Sequence, residues 1–187
     1  MRRFIDRSLP VETMAKSDSF FIRAQVLTNG TTYVEQEIDL GSFVNLGVSK
    51  STLLRIHNVA VQFSDETTGP AGAIYTLATN GKIGWQLSTQ TQTSLLEASD
   101  KSIVASGGLT LLGDPTTTAH PTDNSESEDV NPQQWSNGYL VGVDSMYLAA
   151  DTAGTVSSGE CIVSIVIECT LENATQASAT ALALSQQ

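Results

Sequence analysis

The chain is poor in the residues that most enzyme chemistry uses. It has two histidines, His57 and His120, and two cysteines, Cys161 and Cys169, among 187 residues. Two isolated imidazoles do not supply the cluster of His and carboxylate ligands that a cupin-type metal site needs. Basic residues are scarce as well: nine against twenty acids, for a formal net charge of −11. That balance excludes wholesale nucleic-acid binding by the body of the chain. Long apolar runs are missing. The longest, Cys161–Ile167, is interrupted by Ser164 and falls far short of the ~18–20 residues of a membrane span. The first residues carry no apolar stretch of the secretory type. There is no G-x-S-x-G, P-loop, H-E-x-x-H or dinucleotide fingerprint. The expectation is a protein that is not an enzyme and holds no cofactor.

What is present is a foldable, hydroxyl-rich chain. A hydrophobic fraction of 40% excludes a disordered polymer. The length suits one domain, which at this size buries roughly 70% of the surface its unfolded chain exposes. Charged residues make up 16%, below the ~25% of ordinary soluble domains. In place of bases stand 22 threonines and 21 serines, with four lysines in all. Such a surface fits concentrated salt, where lysine stems add costly apolar area and screening makes uniform negative charge tolerable. Ordinary acidic solubility is the other reading.

Alternation with period two dominates. Across Glu160–Glu172, Cys161, Val163, Ile165, Ile167, Cys169 and Leu171 share one face, with Ile162 and Val166 as exceptions on the other. Phe20–Leu27 and Tyr33–Leu40 alternate too, and Asn29-Gly30 between them predicts an antiparallel hairpin pair. Ser51–Ser64 is apolar on both parities, which predicts a strand that is central or covered on both sides. Shorter candidates are Ala73–Thr79, Lys82–Leu87, Ser102–Ala105, Leu109–Leu112, Tyr139–Val143 and Ser145–Ala149, separated by turn signals that include Gly107-Gly108. No repeated amphipathic helices of the α/β kind appear. The fold class expected is all-β: a single jelly-roll β-barrel or sandwich of about eight antiparallel strands. Residues 1–18 form a basic arm, 19–171 the barrel with a long polar loop at 113–134, and 172–187 a tail that is either a short helix or disordered.

Candidate sites are few. His57 lies within a strand, where a satisfied, partly buried histidine is the ordinary role, and His120 lies in the proline-rich loop. Asp123, Ser125, Ser127 and Asp129 place oxygens at alternate positions, as a calcium loop does. The pattern then fails, because Glu128 stands where glycine is needed and Gln134 where the bidentate glutamate is needed. Asp123 and Asp129 remain as weak cation candidates. Cys161 and Cys169, eight apart on one strand, lie roughly 26 Å from each other, too far for a mutual disulfide. They are either buried free thiols or partners for another subunit. The opening Met1-Arg2-Arg3-Phe4-Ile5-Asp6-Arg7 is basic and amphipathic in an acidic protein. Arg2, Arg3, Phe4 and Arg7 are therefore candidates for docking on an anionic membrane face or an acidic neighbour, weakly per copy but with avidity in an array.

Three segments carry a resemblance: Met1-Arg2-Arg3-Phe4-Ile5-Asp6-Arg7-Ser8-Leu9-Pro10, Ser19–Gly30 (SFFIRAQVLTNG) and Leu53-Leu54-Arg55-Ile56-His57-Asn58-Val59. In these, and in length, acidity and β pattern, the chain resembles the smaller of the two major capsid proteins of haloarchaeal icosahedral viruses with an internal membrane, the sphaerolipovirus type. The resemblance implies a single jelly roll standing upright in the virion shell. It also implies homodimers, heterodimers with a larger sister capsid protein, and capsomer neighbours over the membrane, with no direct contact to nucleic acid. It supplies no catalytic residues. The competing reading is an extracellular carbohydrate- or ligand-binding β-sandwich module.

Overall fold

The computed structural model describes residues 18–46, 50–74, 80–112, 123–154, 156 and 160–186. Its strands are β1 (Phe20–Leu27), β2 (Val34–Asp39), β3 (Lys50–Asp65), β4 (Gly81–Ser88), β5 (Ile103–Leu112), β6 (Asp123–Val130), β7 (Tyr139–Val141), β8 (Ser145–Ala153) and β9 (Cys161–Thr175), followed by helix α1 (Gln176–Ser185). They form two antiparallel sheets, β1-β9-β3-β7 and β2-β8-β4-β5-β6. With β6 set aside, the remaining eight strands in chain order read 1-8-3-6 and 2-7-4-5. That is the double Greek key of a jelly roll, and the expected fold class holds.

The core lies between the sheets. Leu54, Ile56, Ile165 and Ile167 of the first face Ile83, Leu87, Leu111, Met146 and Leu148 of the second, all buried. Each contributes about 1.5–3 kcal/mol relative to exposure.

The two apolar parities of Ser51–Ser64 have a more specific cause than double coverage. The β3–β9 register shifts between Ile56 and Asn58, so His57 is an extra residue in the ladder. Such a bulge moves every later side chain to the opposite face. Leu54 and Ile56 point inward before it, and Val59 points inward after it. Where β7 stops pairing with β3, a glutamine side chain replaces it. The Gln133 amide accepts from Val59 N at 3.2 Å and donates to Val59 O at 3.2 Å, as a strand neighbour would.

Four local expectations are corrected. β1 and β2 do not form a hairpin: β1 pairs with β9 and β2 with β8, in opposite sheets. The Asn29-Gly30 turn is a corner between the sheets. Gly30 has φ +56° and donates its N–H to the Glu160 carboxylate at 3.0 Å, while Thr152 of β8 bonds Gly30 O. Gly107-Gly108 is no turn but the middle of β5. A Cβ on Gly108 would stand 2.8 Å from Ile83 O, so only glycine lets the two backbones approach there. The polar loop 113–134 contains β6, which pairs with β5 despite its acidic composition. An acid-rich strand suits a sheet edge, where charge discourages further pairing. Finally, β9 runs to Thr175 and the tail is helical. Thr175 caps α1 by accepting from Ser178 N. The predicted strand Ala73–Thr79 falls mostly outside the described residues.

Candidate functional site

Each sequence candidate can now be placed. His57 Nε2 sits 2.8 Å from Thr170 Oγ1 at the bulge, a half-buried and hydrogen-bonded histidine. Cys161 and Cys169 are free, inward-facing and fully buried in the core. Burial, with Asp65 and Glu160 nearby, pushes the Cys161 thiol up to about 11; burial and Glu168 push Cys169 up to about 12. An intersubunit disulfide needs an exposed sulfur, so this placement removes both cysteines from that role in the folded subunit. Asp123 and Asp129 stand at the two ends of β6. Six residue steps of strand, at about 3.3 Å each, separate them by about 20 Å, so one cation coordinated at ~2.3–2.6 Å cannot bridge them. Among the described residues no group of three or more His, Cys, Asp or Glu converges on a metal position. His120, Arg2, Arg3, Phe4 and Arg7 lie outside the described residues.

Three shallow clefts lie among the described residues. One, of about 350 Å³, lies between Trp135, Tyr139, Leu140, Leu182, Lys101 and Gln186. Trp135 is 56% exposed there, held on a turn in which its O accepts from Gly138 N at 3.1 Å. Gln186 is buried and already spent: its amide accepts from Gly142 N at 2.9 Å and donates to Leu140 O at 2.7 Å. Its own carbonyl accepts from Thr89 Oγ1 and Gln90 Nε2, both at 2.8 Å. The cleft is thus the seam where α1 fastens β7 to the β4–β5 loop. Burial raises the Tyr139 phenol above its usual range.

A second cleft, of about 340 Å³, is lined by Thr89, Thr91, Asp144, Ser145 and Tyr147. Tyr147 is raised by desolvation and then by Glu37, Glu35 and Asp144, which mark an acidic setting. A third, of about 160 Å³, lies where Leu95 rests on Gly84, beside Lys82 and Asp151. The β4–β5 loop is fixed there by Gln86, 1% exposed, which donates to Ser94 O at 3.3 Å and accepts from Leu96 N at 2.7 Å. Glu35 accepts from Gln92 N at 3.0 Å and from Tyr33 OH at 3.1 Å. Desolvation and the Glu35 charge raise the Tyr33 phenol, against the lowering effect of Gln86.

These glutamines were not legible as structural pins, because a lone Gln has no sequence signature. In the second cleft Ser145 Oγ donates to the Glu37 carboxylate at 2.7 Å and Thr91 Oγ1 to that of Glu35; no histidine lines any of the three clefts. What the molecule offers is faces and edges. Phe20 stacks on Phe43 at 5.0 Å between ring centres, and both pack against the core. Phe21 is 53% exposed under the guanidinium of Arg23, 5.8 Å from its ring centre.

No family model matches the chain, and no curated protein matches it. Among solved structures it is similar to one of Desmodium yellow mottle tymovirus, at 11% identity over 91% of this chain and 89% of that one, with a TM-score of 0.35. It is also similar to VP1 of Trichodysplasia spinulosa-associated polyomavirus, in a complex with sialylated glycooligomers, at 9% identity over 82% and 95% of the two chains and a TM-score of 0.35.

Proposed function

We propose that the chain is a structural major capsid protein, the smaller of two, in the icosahedral shell of a halophilic archaeal virus with an internal membrane. The observation that carries this reading is where the capsid-like segments fall. Ser19–Gly30 becomes β1 and its corner, and Leu53–Val59 becomes the bulged middle of β3. Both flank β9 in one sheet of a jelly roll. Two of the three segments that carry the resemblance thus lie in one sheet, and the third, Met1–Pro10, lies outside the described residues.

In this reading the jelly roll is an upright tile and not a catalyst. It pairs with itself and with a larger sister protein, and capsomer neighbours cover sheet edges that would be a liability in a free monomer. The basic arm with Arg2, Arg3, Phe4 and Arg7 turns toward the membrane. Acidic residues and lysine scarcity keep the outer surface soluble in brine. Purified native particles should show this chain as a dominant band. The isolated chain should be multimeric in molar salt and lose its assemblies as salt falls. A monomer of unchanged size across that range overturns the proposal. A melting temperature raised by a glycan moves the reading to the carbohydrate-binding module.

A further inference from the structure

Of the three clefts, the one beside α1 has no acid in its lining, and its walls are Trp135, Tyr139, Leu140 and Leu182. Each of the other two carries an aspartate, Asp144 or Asp151. The turn that presents Trp135 is pinned at three points. Gln133 bonds both backbone polar groups of Val59, and Arg55 donates to the Asn137 carbonyl. Gly138, at φ +62°, lies so close to β3 that a Cβ would stand 2.1 Å from Ile56 O. The indole is therefore held in place while 56% exposed, and a partner that buries it meets little ordering cost.

The sequence holds one short amphipathic segment that the strands do not absorb. In Met1–Leu9, Met1, Phe4, Ile5 and Leu9 recur at helical spacing, Arg2, Arg3, Asp6 and Arg7 occupy the opposite arc, and Pro10 ends the pattern. So short a segment does not sustain a helix alone, and its apolar stripe needs a surface to lie on. The described chain begins at Asp18. Just beyond it, Phe20, Cys169, Ile56 and Tyr139 stand in register across the first sheet. Three strand spacings of ~4.8 Å put Tyr139 about 14 Å from that point of entry. The tether Pro10–Ser19 can span up to about 33 Å, enough to pass a helix ~10 Å across.

We propose that the Trp135 cleft is the seat of the chain's own amino-terminal segment, with Phe4 and Ile5 packed against Trp135, Tyr139 and Leu182. The apolar stripe then faces the cleft, as an amphipathic helix faces a groove. Arg2, Arg3 and Arg7 face outward, where an anionic surface or an acidic neighbour meets them. The contact is apolar, so concentrated salt strengthens it, whereas a contact made by charge alone is screened. Phe4 is thereby used by the chain itself, and the arginines keep the outward docking. The inference is separable from the shell reading: a segment seated here on a chain that builds no shell keeps this and loses the other.

Fluorescence tests it. The chain has two tryptophans, and Trp85 is 2% exposed in the core, so quenching by iodide reads Trp135. The full chain is measured in molar salt without lipid. Deleting residues 1–9 should red-shift the emission and about double the quenching, because a ring buried against a partner is shielded from water. Phe4→Ser/Ile5→Ser should do the same, whereas Arg2→Ser/Arg7→Ser should change neither. Circular dichroism confirms that each variant is folded. A Phe4→Cys/Leu182→Cys variant, oxidised with copper phenanthroline, should form a disulfide and still run as a monomer on a non-reducing gel, since Cys161 and Cys169 are buried. Quenching that is the same with and without the segment overturns the inference and leaves the stripe to a bilayer. A disulfide that joins two chains, or none at all, overturns it too.

Discussion

On their inner sides the two sheets present the same kind of surface, with Ile165 and Ile167 of the first packed against Leu87 and Leu148 of the second. On their outer sides they diverge. The second sheet is stripped of bulk along its middle, with Gly84, Gly108 and Ala149 buried. The β4–β5 loop uses the space, pressing Leu95 onto Gly84 and anchoring through Gln86 and Glu35. The first sheet keeps full-sized side chains outside and is covered by α1 over one half alone. A sheet face can thus be finished by removing side chains so that backbone lies flat on it, or by adding a helix. The first sheet is covered over half its area, and on the other half Phe21 and Leu27 stay exposed among Gln25, Asn58 and Gln62.

The largest expected effect tests whether the inner faces are equivalent. Ile165→Ala in the first sheet and Leu148→Ala in the second should each cost about 2–5 kcal/mol, read from urea midpoints. A cost under 1 kcal/mol for either would show that its sheet does not share the core equally. Next come the outer faces. Gly108→Ala should cost about 1–3 kcal/mol, because its Cβ meets the Ile83 carbonyl and backbone cannot move aside as a side-chain tip can. The matching change on the bare half, Ala60→Val, should stay within about 0.5 kcal/mol. Equal effects would erase the contrast between the faces.

Gln186→Ala removes the amide that joins α1 to β7 and strands the Gly142 N–H and Leu140 carbonyl. The expected loss is about 1–3 kcal/mol, with faster hydrogen exchange at β7. If β7 exchanges as before, the seam is held by other contacts.

The last effect is alkaline. Both core thiols belong to the first sheet, and the fold holds their protons above the ordinary value of 9.0, to about 11 and about 12. The unfolded chain releases those protons first. Stability is therefore complete below pH 9 and falls as pH rises from there toward 11. A Cys161→Ala/Cys169→Ala variant should flatten the onset between pH 9 and 10, before the raised Tyr33 phenol at the head of the second sheet joins in. An unchanged onset would show that the thiols are not its source.

The sequence disclosed the strands whose alternation is driven by the core, and it failed where pairing is decided at a distance. β9 and β1 were plain from Cys161–Leu171 and Phe20–Val26, since one buried face imposes period two. Their pairing with each other was hidden, because Asn29-Gly30 has the same local chemistry in a corner as in a hairpin. β6 was read as loop because Asp, Asn and Glu have low strand propensity, while an edge needs one neighbour and little burial. Of the site candidates, His57 was placed correctly in a strand, but its role as the extra residue depends on the partner register. The cysteines were seen to share a face, and their spacing could not say how deep that face lies.

The pairing of β1 with β9 also governs when the first sheet can exist. Phe20 meets Cys169, yet a ribosome adding about 5–20 residues per second makes the two roughly 7–30 seconds apart. Through that interval β1 has no ladder partner, and β3, made soon after it, gains the short strand β7 on one side and waits for β9 on the other. The second sheet is different, because β4 and β5 are neighbours in the chain and can close as they emerge. Folding during synthesis therefore starts on the acidic sheet, and the neutral one is assembled last by a single late strand inserted between two early ones.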